Sequence, residues 1–310
     1  MRSAEARDNY EMHTQAPQIG LPEKKRGRAA MREIAYQDIV TAVADLCIKA
    51  NTLLPEDIRQ AIQQAGRSEE SPVGKAILGD LEENFIFAAE KGLPICQDTG
   101  MAVVFAELGQ EAHITGGLLA DAVNEGVARG YVEGNLRLSV VEDPLRRVNT
   151  NNNTPAILHL TMTDGDALRL TVAPKGFGSE NMTRLRMFNP SAAREDIMDF
   201  IVECVSAAGS NPCPPVLVGV GLGGTSEMAA LLAKRALLRP VDEKNADPFY
   251  AAIEAEVLER INALGIGPQG LGGRATALSV SIIPYATHIA GLPCAVNLGC
   301  HVTRHAEAIL

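Results

Sequence analysis

The second half of the chain alternates short apolar runs with amphipathic segments, and this alternation is the strongest indication of its architecture. Residues 216–220 and 277–283 have the length and apolar composition of buried strands, while 226–238 and 248–264 repeat apolar residues at helical spacing. Strands that alternate with helices build sheets covered by helices. The sequence therefore predicts an α/β fold, or a mixed α+β fold, with helices packed around mixed sheets.

The first half supplies further elements. Apolar residues at helical spacing predict helices at 32–53, 55–64, 73–90, 118–129 and 194–208, and a strand is predicted at 101–107. The stretch 142–155 is polar and rich in turn residues, so it is predicted to be a loop. Residues 156–161 and 168–172 are predicted to pair as a hairpin across the turn at 164–165.

The first thirty residues differ from the rest in composition. Residues 1–30 are polar, carry the basic run 24–28 and lack the apolar centre of a secretion signal. We expect a disordered tail there, with a basic targeting or docking arm as the alternative. Because no linker divides the remainder, we expect one folded domain at 31–310. Because no secretion signal is recognised, we expect a cytoplasmic protein.

Composition limits the partners that the chain can have. Of its 310 residues 46% are hydrophobic, which is enough for a sizeable core. The formal charge of −10 argues against nucleic acid or an anionic membrane as a partner, because both attract clustered Lys and Arg. No apolar run reaches the roughly 18 residues that a membrane span needs.

Six cysteines in a chain without a secretion signal are not expected to form disulfide bonds. Three of them fall within apolar segments and are expected to be buried: Cys47, Cys204 and Cys294. The others lie in predicted loops, 117 and 87 residues apart: Cys96, Cys213 and Cys300. Zinc ribbons take their ligands in close pairs, which this spacing does not provide. The spacing is compatible with an iron–sulfur cluster gathered from three loops, but unligated loop cysteines show the same pattern.

Polar residues near these cysteines are candidates for chemistry. Gln97 and Asp98 directly follow Cys96, and a carboxylate beside a metal can act as a general acid or base. A carboxylate in a Pro–Gly turn can equally do no more than bond backbone amides. The glycines of segment 173–181 allow backbone amides to cradle an anion, and Arg137 offers positive charge to a dicarboxylate. A tight surface loop and a solvated arginine are the alternatives.

A glycine motif later in the chain has the pattern of a dinucleotide-binding fingerprint. Residues 219–224 read GVGLGG and stand between a predicted strand and a predicted helix. That context would support an NAD-binding oxidoreductase, which is the alternative from a different functional class. No second strand ending in an acidic residue follows, since Asp242 lies in a predicted loop. We therefore expect the glycines to allow close packing around the Cys213 loop.

Several segments between about residues 31 and 305 carry a family resemblance when they are taken together and in order. They are PICQDTG (94–100), NLR (135–137), VVEDPL (140–145), NNTP (152–155), APKGFGSEN (173–181), NPCPP (211–215), GIGPQGLGG (265–273) and NLGCH (297–301). In this order they resemble the class I (iron–sulfur) fumarate hydratase family, alpha subunit or N-terminal domain, and the alpha subunit of its close relative L-tartrate dehydratase. The segments around Arg137 and Gly178 are more similar to fumarate hydratase.

The resemblance implies a cofactor and a set of site residues. A [4Fe–4S] cluster would be bound through one iron each by Cys96, Cys213 and Cys300, and its fourth iron would bind the substrate. The family's substrate contacts fall on Gln97, Asp98, Arg137, Gly178 and His288 of this sequence. The catalytic residues would be Asp98, as an acid–base participant, Gln97, and His288 as a hydrogen-bond partner of a substrate carboxylate.

The resemblance also implies a reaction and a partner. The expected activity is the reversible hydration of fumarate to L-malate by an oxygen-sensitive hydro-lyase, with L-tartrate or another hydroxy-diacid as the alternative substrate. Members of the family have a second, swivelling domain that closes over the cluster, and this chain ends ten residues after Cys300. We therefore expect that domain on a separate beta subunit, in a hetero-oligomer, and little activity from this chain alone.

Overall fold

Two four-stranded sheets, each flanked by helices, carry the fold of the domain that the structure describes. The computed structural model describes residues 31–310, so the tail expected at 1–30 lies outside the described residues. The helices are α1 (Tyr36–Thr52), α2 (Glu56–Ser68), α3 (Pro72–Lys91), α4 (Leu119–Glu133), α5 (Phe177–Glu180), α6 (Arg194–Ala208), α7 (Ser226–Ala236) and α8 (Pro248–Asn262). The strands are β1 (Arg32–Ala35), β2 (Met101–Gly109), β3 (Ala112–Thr115), β4 (Ile157–Thr163), β5 (Leu168–Lys175), β6 (Arg184–Phe188), β7 (Val216–Gly223), β8 (Ala277–Tyr285), β9 (Leu292–Gly299) and β10 (Ala306–Ile309). The predicted combination of α/β elements and mixed sheets is confirmed.

The first sheet has the strand order β10–β5–β2–β4. Strand β2 runs parallel to β4 and antiparallel to β5, and its residues 102–106 are all nearly inaccessible to solvent. Its inward side chains pack against the apolar faces of α1 and α4 in one continuous core. Because the apolar residues of both helices recur at helical spacing, this packing follows from the periodicity of the sequence.

The predicted hairpin of residues 156–161 and 168–172 is wrong. Both segments are strands, but β2 lies between them and pairs with each. The connection at 164–167 crosses the end of β2, where the Gly109 amide donates to the Ala167 carbonyl over 2.8 Å. A short turn therefore joins two strands that do not pair, because the apolar strand β2 takes the central place between them.

The second sheet has the order β6–β9–β7–β8 and is covered on both faces. Helices α6 and α8 pack on one face, and α7 packs on the other through small residues such as Ala229 and Ala233. A side chain at Gly221 would stand 2.7 Å from the backbone nitrogen of Ala233 in α7. The glycines at 219 and 221 thus allow α7 to approach β7 closely, as the sequence analysis expected of a packing role.

Smaller elements differ from the predictions at several places. The helix predicted from residue 32 begins at Tyr36, because residues Arg32–Ala35 form β1 and pair in parallel with β3. The segment around Cys294 is strand β9, as the apolar run there indicated. Within residues 31–310 no helix is long and apolar enough to cross a membrane.

A third apolar cluster packs α2 and α3 against the starts of β7 and β8. It contains Ile95, Leu217 and Val302, and both Cys96 and Cys300 pack against its surface. Two of the three loop cysteines, Cys96 and Cys300, therefore pack against the same apolar cluster.

Candidate active site at three loop cysteines

Cys96 lies in the connection between α3 and β2, in a position that its neighbour fixes. Helix α3 ends at Gly92, whose φ of 63° is the left-handed conformation that glycine adopts at a helix end. The next turn is anchored at Ile95, whose amide donates to the Asn51 carbonyl at 2.9 Å and whose carbonyl accepts from Asn84 Nδ2 at 2.9 Å. The partly buried Cys96 thiol follows directly.

Cys213 lies in a loop that its prolines keep out of regular structure. Its φ of 55° is uncommon for a residue other than glycine, so the surrounding contacts must hold this conformation. Its amide donates to the Ser210 carbonyl at 3.0 Å, and the Pro214 carbonyl accepts from Gln269 through the backbone amide at 2.7 Å and Nε2 at 2.9 Å. Cys213 itself is exposed to solvent.

Cys213 and Cys300 stand at the same edge of the second sheet. Strand β7 begins just after Cys213 and β9 ends just before Cys300, and the antiparallel register pairs Leu217 with Gly299. The two loops are in direct contact, because His301 Nδ1 lies 3.0 Å from the Cys213 carbonyl oxygen. Burial lowers the pKa of His301, so its ring is neutral near pH 7.

Arg304 joins the Cys96 loop to the Cys300 turn, and the sequence analysis did not identify it. Its guanidinium is 3% exposed and donates to the Asp98 carbonyl at 2.7 Å and the Val302 carbonyl at 2.9 Å. It also donates to Asn51 Oδ1 at 3.0 and 3.2 Å. Since all these acceptors are neutral, Arg304 keeps an uncompensated positive charge close to the cysteine loops.

The three loop thiols lie close enough for their charges to act on one another. Burial raises the pKa of Cys213, and the charges of Cys300 and Cys96 raise it further. Burial also raises the pKa of Cys300, which Arg304 and Lys175 lower and Cys96 raises. Among residues 31–310, however, no three His, Cys, Asp or Glu side chains converge as a site for one metal ion.

The other cysteines are structural, as their apolar surroundings predicted. Cys47, Cys204 and Cys294 are fully buried, and burial raises the pKa of each thiol to about 12. A thiol with such a pKa stays protonated at neutral pH and is a poor metal ligand.

Asp98 links the Cys96 loop to the glycine segment that follows β5. Its Oδ1 accepts from the Gly100 amide at 3.0 Å, and its Oδ2 accepts from the Phe177 amide at 2.9 Å. A side chain at Gly178 would lie 3.3 Å from the Asn211 carbonyl, so the same segment also approaches the Cys213 loop. Asp98 therefore bonds backbone amides, and its acid–base role stays a prediction. These contacts bring three predicted site loops together.

Arg137 and Gln97 offer exposed polar groups beside these loops. Thr99 is buried and its hydroxyl accepts from the Arg137 amide at 2.9 Å, which places Arg137 next to the Cys96 loop. The Arg137 side chain is exposed and forms no hydrogen bond or ion pair within the described part of the chain. Gln97 is also exposed, and its Oε1 lies 3.4 Å from the Cys96 sulfur.

His288 is not brought to the cysteines by any contact among residues 31–310. It is exposed in the loop between β8 and β9, where its Nδ1 accepts from the Ala290 amide at 3.1 Å. The neighbouring Thr287 hydroxyl donates to the Gly224 carbonyl at 3.0 Å, which fixes this loop near the end of β7. Since Cys213 precedes the start of β7, His288 and the cysteines lie at opposite edges of the sheet.

A half-buried ion-pair network underlies the glycine segment and was also missed by the sequence analysis. Lys234 Nζ lies 2.6 Å from Glu180 Oε1, and Lys175 Nζ lies 3.4 Å from Glu180 Oε2. Asn297 Nδ2 donates to Glu180 Oε2 at 2.9 Å. Burial lowers the pKa of Lys175 to about 8, although Glu180 and the Cys300 charge oppose this shift. The sequence analysis identified the segment 173–181, which contains Lys175 and Glu180. It did not identify their partners, which lie on α7 and β9.

A cavity of about 310 Å³ opens beside this network. Its polar lining comes from Lys175, Lys234, Glu180, Glu227 and His159. Burial lowers the pKa of His159, and the charge of Lys234 lowers it further. The cavity can therefore admit a small polar molecule next to the glycine segment.

Comparison with known proteins shows the family of the chain. The family model described as "Fumarate hydratase (Fumerase)" matches residues 40–309. A protein of Methanocaldococcus jannaschii named "Putative L(+)-tartrate dehydratase subunit alpha" is 39% identical over 274 residues, which is 86% of this chain and 96% of that protein. The "L(+)-tartrate dehydratase subunit alpha" of Escherichia coli K12 is 31% identical over 283 residues, covering 90% of this chain and 93% of the relative.

These matches confirm the resemblance that the cysteine and glycine segments carry. They extend over nearly the whole described domain, so they include all three cysteine loops, the Asp98 turn and the glycine segment. The chain belongs to the fumarate hydratase (Fumerase) family of hydro-lyases.

Proposed function

We propose that the chain is the alpha subunit of a [4Fe–4S]-dependent hydro-lyase that interconverts fumarate and L-malate. The observation that carries the proposal is the gathering of Cys96, Cys213 and Cys300 from three separate loops, with charges that act on one another. Membership of a hydro-lyase family supports the reaction type. The proposal includes oxygen sensitivity and a cytoplasmic location, where thiols remain reduced.

The residues present fit an iron–sulfur cluster. Thiolates are the ligands that such clusters take from proteins, and each would bind a different iron atom. Three thiols from separate loops that lie near one another agree with this arrangement. Arg304 and Lys175 act electrostatically on Cys300 and would offset the negative charge of the thiolates. When bound, the cluster would supply a Lewis-acidic iron for the carbon–oxygen bond of the substrate.

The chain's own residues would bind and orient the dianionic substrate. The guanidinium of Arg137, which has no partner within residues 31–310, can hold a carboxylate through two parallel hydrogen bonds. The exposed Gly178 belongs to a short helical turn whose backbone amides can approach a second carboxylate without obstruction by a side chain. Gln97, exposed next to Cys96, can orient the substrate between these groups.

Asp98 would have two tasks in this arrangement. Its hydrogen bonds to the Gly100 and Phe177 amides hold the glycine segment against the Cys96 loop. The resemblance adds an acid–base task close to the reacting carbon–oxygen bond. The task predicted for His288, hydrogen bonding to a substrate carboxylate, has no supporting contact within residues 31–310 and stays a prediction from the resemblance.

A separate beta subunit would complete the site. The relatives are named as alpha subunits, which supports a partner for this chain as well. Gln97, Arg137 and Cys213 are all exposed, so the site of the isolated domain is open to water. Hydro-lyases need control over which water reacts, and a covering subunit in a hetero-oligomer would provide it.

L-Tartrate, or another hydroxy-diacid, is the second candidate substrate. The observation in its favour is that the relatives compared here are named L(+)-tartrate dehydratase subunits. Both substrates are dicarboxylates of similar size, so the same cationic and amide groups could bind either. Turnover of fumarate and L-tartrate by the chain together with its beta subunit would separate the two candidates.

The first test is the iron and acid-labile sulfide content of the chain after anaerobic reconstitution. We expect about four of each per chain in the wild type. Cys96→Ser, Cys213→Ser and Cys300→Ser should each lose most of the cluster. Cys204→Ser, which changes a buried cysteine on α6, is the matched control and should keep it. An iron-free wild type, or equal loss in the control, would contradict the proposal.

A further inference from the structure

A second cavity, beside the connection between α1 and α2, combines an apolar wall with basic side chains. Its volume is about 270 Å³. The apolar wall includes Leu53, Leu54, Pro55 and Phe85. The basic groups are Lys49, Arg59 and His305, and no acidic side chain of the described residues lines the cavity. Such a lining is suited to a molecule with one anionic end and one apolar end.

His305 is the unusual member of this lining. It is partly buried, and burial lowers its pKa while Glu307 and Asp57 raise it. Its Nδ1 is enclosed and has no hydrogen-bond partner among residues 31–310. Arg59 Nε, in the same lining, is likewise enclosed and unpaired within that part of the chain. Since buried polar atoms are rarely unpaired, two in one lining leave polar capacity that the domain does not use.

The carboxylates near these basic groups are bound to other partners. Asp57 Oδ2 accepts from the Val241 amide at 2.9 Å, and Glu307 Oε1 accepts from the Thr171 hydroxyl at 3.0 Å. Both are thereby held by groups outside the cavity lining.

Within residues 31–310, Glu56 is the one carboxylate that pairs directly with a basic group of the lining. It forms an ion pair with Arg59, but its side chain is 61% exposed, so water screens this pair. Lys49 forms no ion pair within the described residues. The cavity lining therefore combines the cationic side chains of Lys49 and Arg59 with an apolar wall.

We propose that this cavity binds a small monocarboxylate with a short hydrocarbon chain. The carboxylate would lie against Arg59, Lys49 and His305, which can donate charge-assisted hydrogen bonds. The hydrocarbon chain would lie against Leu54 and Phe85 and gain from removal of apolar surface from water. An inorganic anion would gain only the charge-assisted hydrogen bonds, and an uncharged analogue would gain only the burial of apolar surface.

The proposed site is distinct from the cysteine loops, and the proposal does not depend on the proposed function. None of the cavity residues belongs to the Cys96, Cys213 or Cys300 loops. The two regions are nevertheless adjacent in the chain, since His305 directly follows Arg304, whose guanidinium bonds the Asp98 carbonyl.

Isothermal titration of butyrate into the full chain tests the site. Arg59→Gln and His305→Gln each remove a donor, and Ala89→Leu narrows the cavity while keeping every basic group. We expect each change to weaken butyrate binding at least about 10-fold, as for the loss of a charge-assisted hydrogen bond or of the apolar pocket. Arg67→Gln, on the same helix but outside this cavity, is the matched control and should bind as the wild type does.

Two comparison ligands and one further variant complete the design. Inorganic phosphate and butyramide should each bind at least about 10-fold more weakly than butyrate, because each lacks one of the two contributions. No binding of butyrate to the wild type, or unchanged binding to Ala89→Leu, would overturn the proposal. Binding that is lost in Arg137→Gln and kept in Arg59→Gln would place the carboxylate at the cysteine loops and would overturn it as well.

Discussion

Arg304 is a buried positive charge whose hydrogen-bond partners within residues 31–310 are three neutral oxygen-bearing groups. It reaches Asn51 in α1, Asp98 beside Cys96 and Val302 beside Cys300. A lysine could not make these contacts together, because its ammonium is a point donor while the guanidinium donates in several directions in one plane. The geometry of the candidate site therefore rests on an arginine outside the site itself.

Replacement of this residue by methionine, Arg304→Met, should destabilise the domain by about 2–5 kcal/mol, because buried acceptors that lose a donor cost about 1–3 kcal/mol each. Urea unfolding of the apo chain measures the change. Arg146→Met is the control, since Arg146 is exposed and its side chain forms no hydrogen bond within the described residues. Equal unfolding midpoints for the two variants would show that the loops do not depend on Arg304.

Sequence reasoning identified the loop cysteines but could not find Arg304 or the partners of Glu180. The cysteines stand in proline- and glycine-rich segments that exclude regular structure, so their loop positions can be read locally. Arg304 has partners 206 and 253 residues away, and the partners of Glu180 on α7 and β9 are 54 and 117 residues away. A local sequence pattern cannot indicate a contact between residues that are so far apart along the chain. They become visible only once the sheets are assembled.

Among the elements, α7 packs closely on β7, and the glycine motif at 219–224 makes this contact possible. At Gly221 a methyl group would stand 2.7 Å from the Ala233 nitrogen, and the backbone there cannot move without lifting the helix. The motif that resembled a dinucleotide fingerprint is thus explained by packing, which a sequence pattern alone cannot distinguish from ligand binding.

The substitution Gly221→Ala should therefore lower stability by about 1–3 kcal/mol, as overpacked cores do. Thermal unfolding measures the loss. Gly79→Ala in α3 is the matched control, since nothing lies within 4 Å of the new methyl group. There the better helix propensity of alanine should raise stability by about 0.5–1 kcal/mol. Shifts of the melting temperature in the same direction for both variants would contradict the packing argument.

The connection between α2 and α3 is held by one carboxylate that bonds several backbone amides. Glu69 is 2% exposed and accepts from the Arg274 amide at 2.9 Å and from the Ala275 amide at 2.9 Å. It also accepts from the Ser71 amide at 3.0 Å. Burial raises its pKa, but these amides together outweigh burial and lower the pKa below the ordinary value.

Glu69→Gln replaces one of the two acceptor oxygens of the carboxylate with a donor NH2 group. We expect it to lower the free energy of unfolding by about 1–3 kcal/mol at pH 7. Because the folded pKa is lowered, the carboxylate stabilises the fold fully above the unfolded pKa of about 4.3 and loses this effect as the pH falls through the folded value. The difference in urea midpoint between wild type and variant should therefore shrink below about pH 4. Glu70→Gln, with a 74% exposed side chain, should show little difference at any pH.

The pairing of strands was the part of the fold that local patterns misjudged. Helices such as α6 and α8 have enough residues to show their period, and both were predicted. The four-residue strands β1, β3 and β10 are too short to show any alternation. For β4 and β5 the short turn favoured a hairpin, whereas their true partner β2 pairs with residues 54 or more positions later in the chain, as Val103 does with Ile157. Burial of that apolar strand on both sides outweighed the local turn signal.

At the scale of the whole molecule, the proposed dianionic substrate would meet an acidic protein, so its binding would depend on local positive charge. The net charge is −10, yet Arg137 stays unpaired beside the Cys96 loop within residues 31–310, and Arg304 lies buried behind it. Attraction of a substrate dianion therefore depends on a few fixed cations. The cations of this chain do not cover the outer side of the site, where Gln97 and Cys213 are exposed to solvent.

This openness leads to the last prediction, that the reconstituted chain alone holds its cluster but converts fumarate at least about 100-fold more slowly than the chain with its beta subunit. A site that neither excludes water nor fixes both carboxylates loses the positioning on which such rates depend. Malate formation under anaerobic conditions, normalised to iron content, measures the ratio. Comparable rates with and without the beta subunit would show that the loops of this chain suffice, and the exposed Arg137 and Gly178 would then hold the substrate unaided.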